Sequence, residues 1–222
     1  MAQSEDFLKI SDNILIINKE LKNFNAKLIG VSKTKPIEMI MQAYNAGLRD
    51  FGENKTNELL QKIDEAPKDI RWHMIGHLQT NKVSALLKKD IFLIHSVDSL
   101  KLASIIDKYS QANNKKQNVL LEVNVTGEPS KTGYNKNDLL AEMPKLLELK
   151  NINILGLMCI AKKDEDPIKY FIELKELMDY INNNFKTNLK ELSMGMSEDY
   201  KQAIQCGATY IRVGRGIFGE RN

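Results

Sequence analysis

The chain has 222 residues and 42% hydrophobic content, which suits one large core or two small domains. Its formal net charge is only +3 although 27% of the residues are charged, so positive and negative groups nearly cancel and a nucleic acid is not expected as a partner. The two cysteines, Cys159 and Cys206, lie far apart without a CxxC motif, which argues against a disulfide scaffold and indicates a reducing compartment.

The amino-terminal segment, MAQSEDFLKI, carries acidic side chains where a secretory signal requires a basic end and an apolar run. No later stretch approaches the ~20 apolar residues that a membrane-spanning helix requires. We therefore expect a cytoplasmic protein without a membrane partner. The same segment begins an amphipathic helix, because apolar residues recur at three-and-four spacing at Phe7, Ile10, Ile14, Ile17 and Leu21.

From Leu28 onward, short apolar runs alternate with helical segments. The eight predicted strands are LIGVS, DFG, WHMIG, IFLIHSV, VLLEVNV, ILGLMCI, ELSMG and YIRVG. A helix is predicted after each strand except the last, with starts at Pro36, Asn54, Thr80, Ser99, Asn137, Pro167 and Glu198. Signals around the first of these helices support the assignment, since Pro36 is expected in its first turn and Gly47 follows its last turn.

Eight alternating β and α units predict a parallel sheet that closes into a (β/α)8 TIM-type barrel. The amino-terminal helix can then serve as the outer helix that the final strand lacks. An open doubly wound sheet is the competing architecture, and periodicity does not exclude it. Because no linker, repeat or low-complexity block divides the sequence, we expect residues 1–222 to form a single domain.

The last predicted strand is followed by a glycine-rich loop. Gly214, Gly216 and Gly219 have the G-x-G-x-x-G spacing of a dinucleotide site. A Rossmann site also requires a helix, a second strand and an acidic residue about 20 positions further on, but the sequence ends at Asn222. The spacing therefore does not predict a dinucleotide.

A phosphate site explains this loop better when it is combined with the preceding loop, SMGMSED. Barrel phosphate sites are commonly built from the loops after strands 7 and 8. Gly195 and Gly214 allow backbone N–H groups to approach an anion, and the hydroxyl of Ser193 or Ser197 can donate as well. The alternative is that Ser197 only caps a helix that starts at Glu198 and that the glycines only turn the chain.

The segment VSKTKP places Lys33 at the end of the first predicted strand, where a barrel side chain points toward the active-site mouth. An ordinary lysine amine has a pKa of about 10.4, and desolvation or a cationic neighbour lowers that value and frees the lone pair for imine formation. Lys35 is one candidate for such a neighbour. The alternative is that Lys33 is simply solvated.

Arg212 lies two residues before Gly214, so both residues share one face of the last strand. A guanidinium donates hydrogen bonds and does not lose its proton in proteins, so it can donate to a pyridine nitrogen and keep that nitrogen unprotonated. An equally good alternative is a salt bridge with an interior carboxylate such as Glu122.

No metal site is predicted. His73 and His77 have i, i+4 spacing, but WHMIG reads as a strand, on which these positions are well separated. Recruiting His95 or Cys159 gives no recognised ligand spacing. A G-x-S-x-G nucleophile motif and a convincing triad are also missing from the sequence.

Seven segments, in order along nearly the whole chain, resemble the pyridoxal phosphate homeostasis protein family: VSKTKP, FGEN, WHMIGHLQTNK, SKTG, GLMCI, LSMGMSEDY and VGRGIFGER. The resemblance implies a fold-type III pyridoxal 5′-phosphate (PLP) barrel, similar to the amino-terminal domain of alanine racemase, in a monomeric cytoplasmic protein. It implies that the protein binds, stores and delivers PLP, with apo PLP-dependent enzymes as recipients, and that it has no established catalytic turnover.

The resemblance also implies roles for individual residues. Lys33 matches the lysine that forms the imine, and Arg212 matches the arginine that faces the pyridine nitrogen. The positions that match phosphate-binding segments are Ser193, Gly195, Met196, Ser197, Gly214 and Arg215, and those that match the surroundings of the cofactor are Asn54, His77 and Met158. Lys131 matches a lysine of PLP transfer or secondary binding, and Lys35 is a second candidate for that role. Arg215 departs from the family pattern, because many members have a small hydroxyl residue there, and the position of His77 varies.

Two other functions remain open at this point. One is a PLP-dependent amino-acid racemase or lyase, but an enzyme similar to alanine racemase would also need a second, β domain and an opposing acid from a partner subunit. The other is an aldolase that uses Lys33 on a phosphosugar and needs no PLP.

Overall fold

The computed structural model describes residues 2–220, with side chains described from Lys9 onward. Eight parallel strands pair in sequence order, and the eighth pairs with the first. The sheet is therefore a closed barrel, which confirms the predicted fold and rules out the open doubly wound sheet. No helix within residues 2–220 is long and apolar enough to cross a membrane.

The strands are β1 (Lys27–Val31), β2 (Asp50–Glu53), β3 (Arg71–Met74), β4 (Leu93–Val97), β5 (Gln117–Glu122), β6 (Ile152–Met158), β7 (Glu191–Ser193) and β8 (Tyr210–Val213). The helices are α1 (Ala2–Leu21), α2 (Ile37–Asn45), α3 (Thr56–Glu65), α4 (Val83–Leu86), α5 (Leu100–Ala112), α6 (Lys136–Leu147), α7 (Ile168–Phe185), α8 (Tyr200–Gln205) and α9 (Arg215–Phe218). All eight predicted strands are thus present, with ends that differ by a few residues.

Three predicted helix starts need correction. Pro36 is the residue before α2 and has extended backbone angles, so it precedes the first turn. The helix predicted from Thr80 to Lys88 is a short 3₁₀ turn followed by the single turn of α4. The helix predicted from Glu198 begins only at Tyr200, because residues 197–199 form a turn in which Asp199 Oδ1 accepts a hydrogen bond from Met196 N at 2.5 Å.

The amino-terminal helix α1 occupies the position predicted for it, outside the barrel and against the elements that flank β8. Asn13 Nδ2 donates to the Ile217 carbonyl oxygen in α9 at 3.1 Å. The Tyr200 hydroxyl in α8 donates to Glu20 Oε2 at 2.6 Å. Its apolar face is buried at Ile10, Ile14, Ile17 and Leu21, whereas the Phe7 side chain lies outside the described residues.

The buried residues form two layers, because side chains alternate between the two faces of each strand. The outer layer, between the strands and the helices, is a continuous apolar core. The inner layer fills the barrel and contains a smaller apolar cluster at Ile29, Leu93, Leu120, Met158 and Tyr210. Buried polar side chains share this interior, among them Asp50, His73, His95, Ser193 and Arg212.

Candidate functional site

A cavity of about 390 Å³ opens at the carboxyl ends of the strands. Its volume lies within the range of roughly 300–1,000 Å³ that is usual for small-molecule sites, and its position is the one that enzymes and binding proteins with this fold use. Seven residues that the sequence predicted as site residues line it: Lys33, Asn54, Met196, Ser197, Arg212, Gly214 and Arg215.

Lys33 lies two residues after β1 on a loop whose backbone is tied to neighbouring elements. Ser32 N donates to the Gly52 carbonyl oxygen at 3.1 Å, and Ser32 Oγ donates to Glu53 Oε1 at 2.7 Å. On the other side, Thr34 N donates to Glu58 Oε1 at 2.6 Å. These contacts hold the Cα atom of Lys33 in place, so its side chain enters the cavity from a fixed point.

Lys35 was predicted as a cationic neighbour of Lys33. The structure places its Nζ 2.8 Å from the Glu220 carbonyl oxygen, to which it donates. Lys35 is not among the described residues that line the cavity. The structure therefore does not bring the two ammonium groups together in the cavity.

Asn54 contributes a buried oxygen to the cavity wall. Within the part of the chain that the structure describes, Asn54 Oδ1 has no hydrogen-bond donor. Buried polar atoms in native proteins are almost always paired. Because Asn54 lines the cavity, a bound ligand can supply the missing donor, and this orphaned oxygen therefore fits a polar ligand.

Arg212 lies in the cavity floor and is 95% buried, since only 5% of its surface is exposed. Its NH1 group donates to Ser193 Oγ at 2.6 Å, and its NH2 group donates to the Cys159 carbonyl oxygen at 2.9 Å. Burial lowers the pKa of this guanidinium from its ordinary value. Of its five N–H donors, these contacts use two, which leaves others for a ligand.

The alternative salt bridge between Arg212 and Glu122 does not form. Glu122 Oε1 instead accepts a hydrogen bond from Thr132 Oγ1 at 2.8 Å, and burial raises the pKa of the carboxyl group. Among the described residues, no carboxylate forms an ion pair with Arg212. A buried guanidinium without a directly paired carboxylate favours an acceptor or an anion in the cavity.

The loops after β7 and β8 meet at the cavity, as predicted. Gly216 N donates to Ser197 Oγ at 3.3 Å, so this hydroxyl joins the two loops and does not cap α8. Gly214 lines the cavity and packs against β1, where a Cβ atom would lie at ordinary contact distance, 3.4 Å, from the Val31 carbonyl oxygen. Arg215 forms an ion pair with Glu198 at the rim. The meeting of both loops is what a phosphate site requires.

Six predicted site residues are not among the described residues that line the cavity: Lys35, His77, Lys131, Met158, Ser193 and Gly195. Met158 and Ser193 lie inside the barrel below the cavity. His77 Nδ1 is 3.2 Å from Asp98 Oδ2, and Lys131 Nζ is 2.8 Å from Glu128 Oε2. These last two residues lie on other loops at the same end of the barrel.

The conformation of the loop after β7 requires a glycine at position 195. Its φ angle is +88°, and a Cβ atom there would approach Ala203 Cβ to 2.5 Å and Tyr200 Cα to 2.9 Å. Only glycine fits this turn against α8 without displacing its neighbours. Gly195 therefore sets the course of the loop that carries Met196 and Ser197 to the cavity.

Sequence reasoning missed one wall of the cavity and the polar content of its base. The loop after β6 supplies the wall with Lys162, Lys163, Asp164 and Glu165. The loop follows a predicted strand, so its position at the carboxyl end of the barrel was predictable, but its charged and polar sequence contains no motif that marks it as part of a site. Below the cavity lies a buried chain of polar side chains that includes His73 and His95. The sign of this chain in the sequence is a histidine within each of two otherwise apolar predicted strands.

The two histidines lie in a chain of hydrogen-bonded polar side chains. Among the described residues, no group of three or more histidine, cysteine, aspartate or glutamate side chains could hold a metal ion. His73 Nδ1 lies 2.9 Å from His95 Nε2, and His73 Nε2 lies 3.0 Å from Asp50 Oδ1. His95 Nδ1 lies 2.8 Å from Ser193 Oγ. The four side chains are therefore hydrogen-bonded to one another.

Comparison with known proteins decides the family. The family model described as alanine racemase, N-terminal domain, matches residues 6–222. The chain is 47% identical over 201 residues to the pyridoxal phosphate homeostasis protein of Aquifex aeolicus, and the alignment covers 88% of this chain and 87% of that protein. The chain belongs to the pyridoxal phosphate homeostasis protein family. The member of this family from Homo sapiens is 36% identical over 220 residues, which cover 92% of this chain and 80% of the human protein.

Solved structures agree with this assignment. PipY of Synechococcus elongatus PCC7942 with PLP bound is 34% identical, with a TM-score of 0.88 over 95% of this chain and 100% of the PipY chain. The PLP-free form of PipY gives a TM-score of 0.89. Alanine racemase of Clostridium difficile 630 is only 16% identical, and the match covers 96% of this chain and 57% of the racemase chain. Its TM-score of 0.81 therefore shows a shared fold alone. Membership of the pyridoxal phosphate homeostasis protein family and the barrel fold are thus confirmed.

Proposed function

We propose that this chain binds PLP in the cavity at the carboxyl end of the barrel, attached as an imine to Lys33. It holds the cofactor reversibly as a monomer and delivers it to apo PLP-dependent enzymes. Support comes from relatives that are named pyridoxal phosphate homeostasis proteins and from PipY, whose structure has been solved with PLP bound. The observation that carries the proposal is that Lys33, Arg212 and both predicted phosphate loops line one cavity.

The residues present fit this cofactor group by group. Lys33 supplies an amine for the aldehyde carbon, and Arg212 supplies a donor for the pyridine nitrogen. The loops that contain Ser197, Gly214 and Arg215 supply donors and positive charge for the phosphate. The orphaned oxygen of Asn54 can accept a hydrogen bond from the ligand. When bound, PLP would supply an electrophilic aldehyde and an electron-accepting ring.

Arg212 favours holding the cofactor over rapid turnover. Its guanidinium retains its proton at neutral pH even when buried, so a pyridine nitrogen opposite it stays unprotonated and the ring is a weaker electron acceptor. Steady racemisation or elimination by the pure protein, lost in Lys33→Ala, would support the alternative of a PLP-dependent racemase or lyase. A sensitive assay of amino-acid racemisation distinguishes the two functions.

The first experiment compares native protein with Lys33→Ala and with Lys35→Ala as a matched control. We expect native protein and Lys35→Ala to turn yellow with PLP, to lose the visible band after borohydride reduction, and to carry one pyridoxyl group on the peptide that contains Lys33. We expect Lys33→Ala to form no such adduct and to keep its helical circular dichroism, because this side chain lies at the barrel mouth outside the apolar core.

An adduct on another lysine, or none on the native protein, would contradict the proposal. If native protein instead reacts under borohydride only with a sugar phosphate, the phosphosugar aldolase takes its place. Loss of helical circular dichroism in Lys33→Ala would show that the lysine is a structural residue.

A further inference from the structure

A polar chain crosses the barrel interior, which in this fold is normally filled by branched apolar side chains. It runs from Arg71 and Asp50, at the amino-terminal ends of their strands, through His73, His95 and Ser193 to Arg212 in the cavity floor. At the first end, Arg71 Nε donates to Asp50 Oδ1 at 2.8 Å. His73 and His95 are fully buried, and Tyr210 packs edge-on against each ring with centroids 5.7 Å apart. The rings are therefore fixed in place.

The two ends determine which atom donates at every link of this chain. At one end, the Arg212 guanidinium can only donate, so Ser193 Oγ accepts from it and is free to donate its own proton to His95 Nδ1. At the other end, the Asp50 carboxylate can only accept, so His73 Nε2 carries a proton and donates to it.

The middle link follows from the carboxylate end when both rings are neutral, because a neutral His73 that donates from Nε2 accepts at Nδ1. A neutral His95 that accepts at Nδ1 carries its proton on Nε2 and donates to His73 Nδ1. All donors and acceptors are then satisfied with both rings neutral and both in the Nε2–H tautomer. Burial lowers the pKa of His73 and of His95, which agrees with two neutral rings at pH 7.

The consequence for Arg212 is electrostatic. Its two protein acceptors, Ser193 Oγ and the Cys159 carbonyl oxygen, are both neutral. The carboxylate that ends the chain, Asp50, is separated from Arg212 by a hydroxyl and two imidazoles and is already paired with Arg71. The guanidinium is thus oriented by its neighbours while its charge stays available to the cavity.

We propose that Asp50, His73, His95 and Ser193 are positioning residues for Arg212: their one-directional hydrogen-bond chain fixes the guanidinium toward the ring nitrogen of PLP through neutral acceptors. This role rests on the proposed PLP site and adds to it. Residues that do not touch the cofactor then contribute to its affinity, and one of them, Asp50, lies at the opposite end of the barrel.

The first test uses ligand-free protein. The sequence has three histidines, so imidazole ¹⁵N NMR can be assigned with the variant His77→Gln, which removes the signal of the histidine outside the chain. At pH 7 we expect His73 and His95 both to be neutral with the proton on Nε2. An imidazolium, or a proton on Nδ1 of either ring, would overturn the proposed direction of the chain.

The second test measures PLP affinity and the visible absorption band of bound PLP. Ser193→Ala removes a hydrogen bond to a charged group, so we expect PLP to bind roughly tenfold more weakly and its band to shift. Asp50→Asn leaves the cavity residues unchanged but places an amide donor beside His73 and Arg71. We expect this variant to change affinity and band in the same direction as Ser193→Ala, by a smaller amount.

The matched control is Gln117→Leu, which alters another buried polar side chain at the amino-terminal end of a strand. Gln117 Nε2 donates to the Ile91 carbonyl oxygen at 3.0 Å and has no part in the chain to Arg212. We expect the control to lose stability without a change in the PLP band. A band that shifts equally in Gln117→Leu, or that stays unchanged in Ser193→Ala, would overturn the positioning role.

The two tests separate this proposal from the proposed function. If native protein takes up no PLP, the proposed function fails and the role of the chain toward the cofactor fails with it, whereas the ring tautomers still report whether the chain exists. If native protein binds PLP normally and both variants match it, only the positioning role fails.

Discussion

The two buried layers of the barrel differ in chemistry. The outer layer, between strands and helices, is apolar and continuous, with residues such as Ile40, Leu59 and Phe171 fully buried. The inner layer combines five apolar residues with the polar chain that ends at Arg212. Apolar burial is non-directional, whereas hydrogen bonds require particular atoms at particular distances. The outer layer therefore holds the fold together, and the inner layer gives the cavity its chemistry.

The largest effect that tests this division is expected in the outer layer. Phe171→Ala removes a fully buried ring from α7, so we expect the free energy of unfolding to fall by about 3–5 kcal/mol. The visible band of bound PLP should stay unchanged, because Phe171 does not line the cavity. Urea unfolding measures the first quantity and absorbance the second. A shifted band in the folded variant would show that the two layers are not separable.

A smaller effect is expected at the amino-terminal end of the inner layer as the pH falls. Burial acts to raise the pKa of Asp50, but hydrogen bonds from Arg71 and His73 outweigh it and lower the pKa from 3.8 to about 2. A carboxyl group with a lowered pKa in the folded state stabilises the protein above its unfolded pKa and loses that contribution as the pH falls toward the folded pKa. The shift corresponds to about 2 kcal/mol, lost between roughly pH 4 and pH 2.

The variant Asp50→Asn isolates this contribution, since it has no carboxyl group to titrate there. We expect its free energy of unfolding to fall less steeply with acid than that of native protein, by about 2 kcal/mol across the same interval. Parallel curves for the two proteins in urea unfolding at each pH would mean that the Arg71–Asp50–His73 contacts do not stabilise the folded state.

The smallest effect is expected at the rim. His77 was predicted near the cofactor, but the structure places it beside Asp98, with 53% of its side chain exposed. His77 is not among the described residues that line the cavity. We expect His77→Gln to change PLP affinity less than twofold, which is below 0.5 kcal/mol. A tenfold loss of affinity in a PLP titration would contradict this expectation. It would show that a histidine at the rim, and not only those in the barrel interior, contributes to PLP binding.

The order of the elements was predictable from the sequence because each strand and helix carries its own periodicity. From Leu28 to Val213 short apolar segments alternate with helical segments, as they do in a (β/α)8 barrel, and all eight predicted strands are observed. Lys33, Arg212, Ser197 and Gly214 were also found from the sequence, since each stands at or just beyond the carboxyl end of a predicted strand. In a parallel barrel all such ends meet at one face.

The contacts among these residues were not predictable in the same way. The sequence left a salt bridge with Glu122 open as the partner of Arg212, and the structure gives Ser193 Oγ and the Cys159 carbonyl oxygen. It offered Ser197 as a helix cap, and the structure bonds its hydroxyl to Gly216 N on the next loop. Each of these partners belongs to a different strand or loop, so neither spacing nor propensity specifies the pairing.

The sequence by itself therefore determined the order of strands and helices, because periodicity is a local property of the chain. The resemblance of its seven segments indicated the family and, together with the strand ends, seven of the residues that line the cavity. The tertiary structure alone decided that His73 and His95, separated by 21 intervening residues in the sequence, meet at 2.9 Å inside the barrel and connect Asp50 to Arg212. The physical reason is closure: only when the strands tilt around a common axis do side chains from β2, β3, β4, β7 and β8 share one interior, where burial forces each polar group to find a partner.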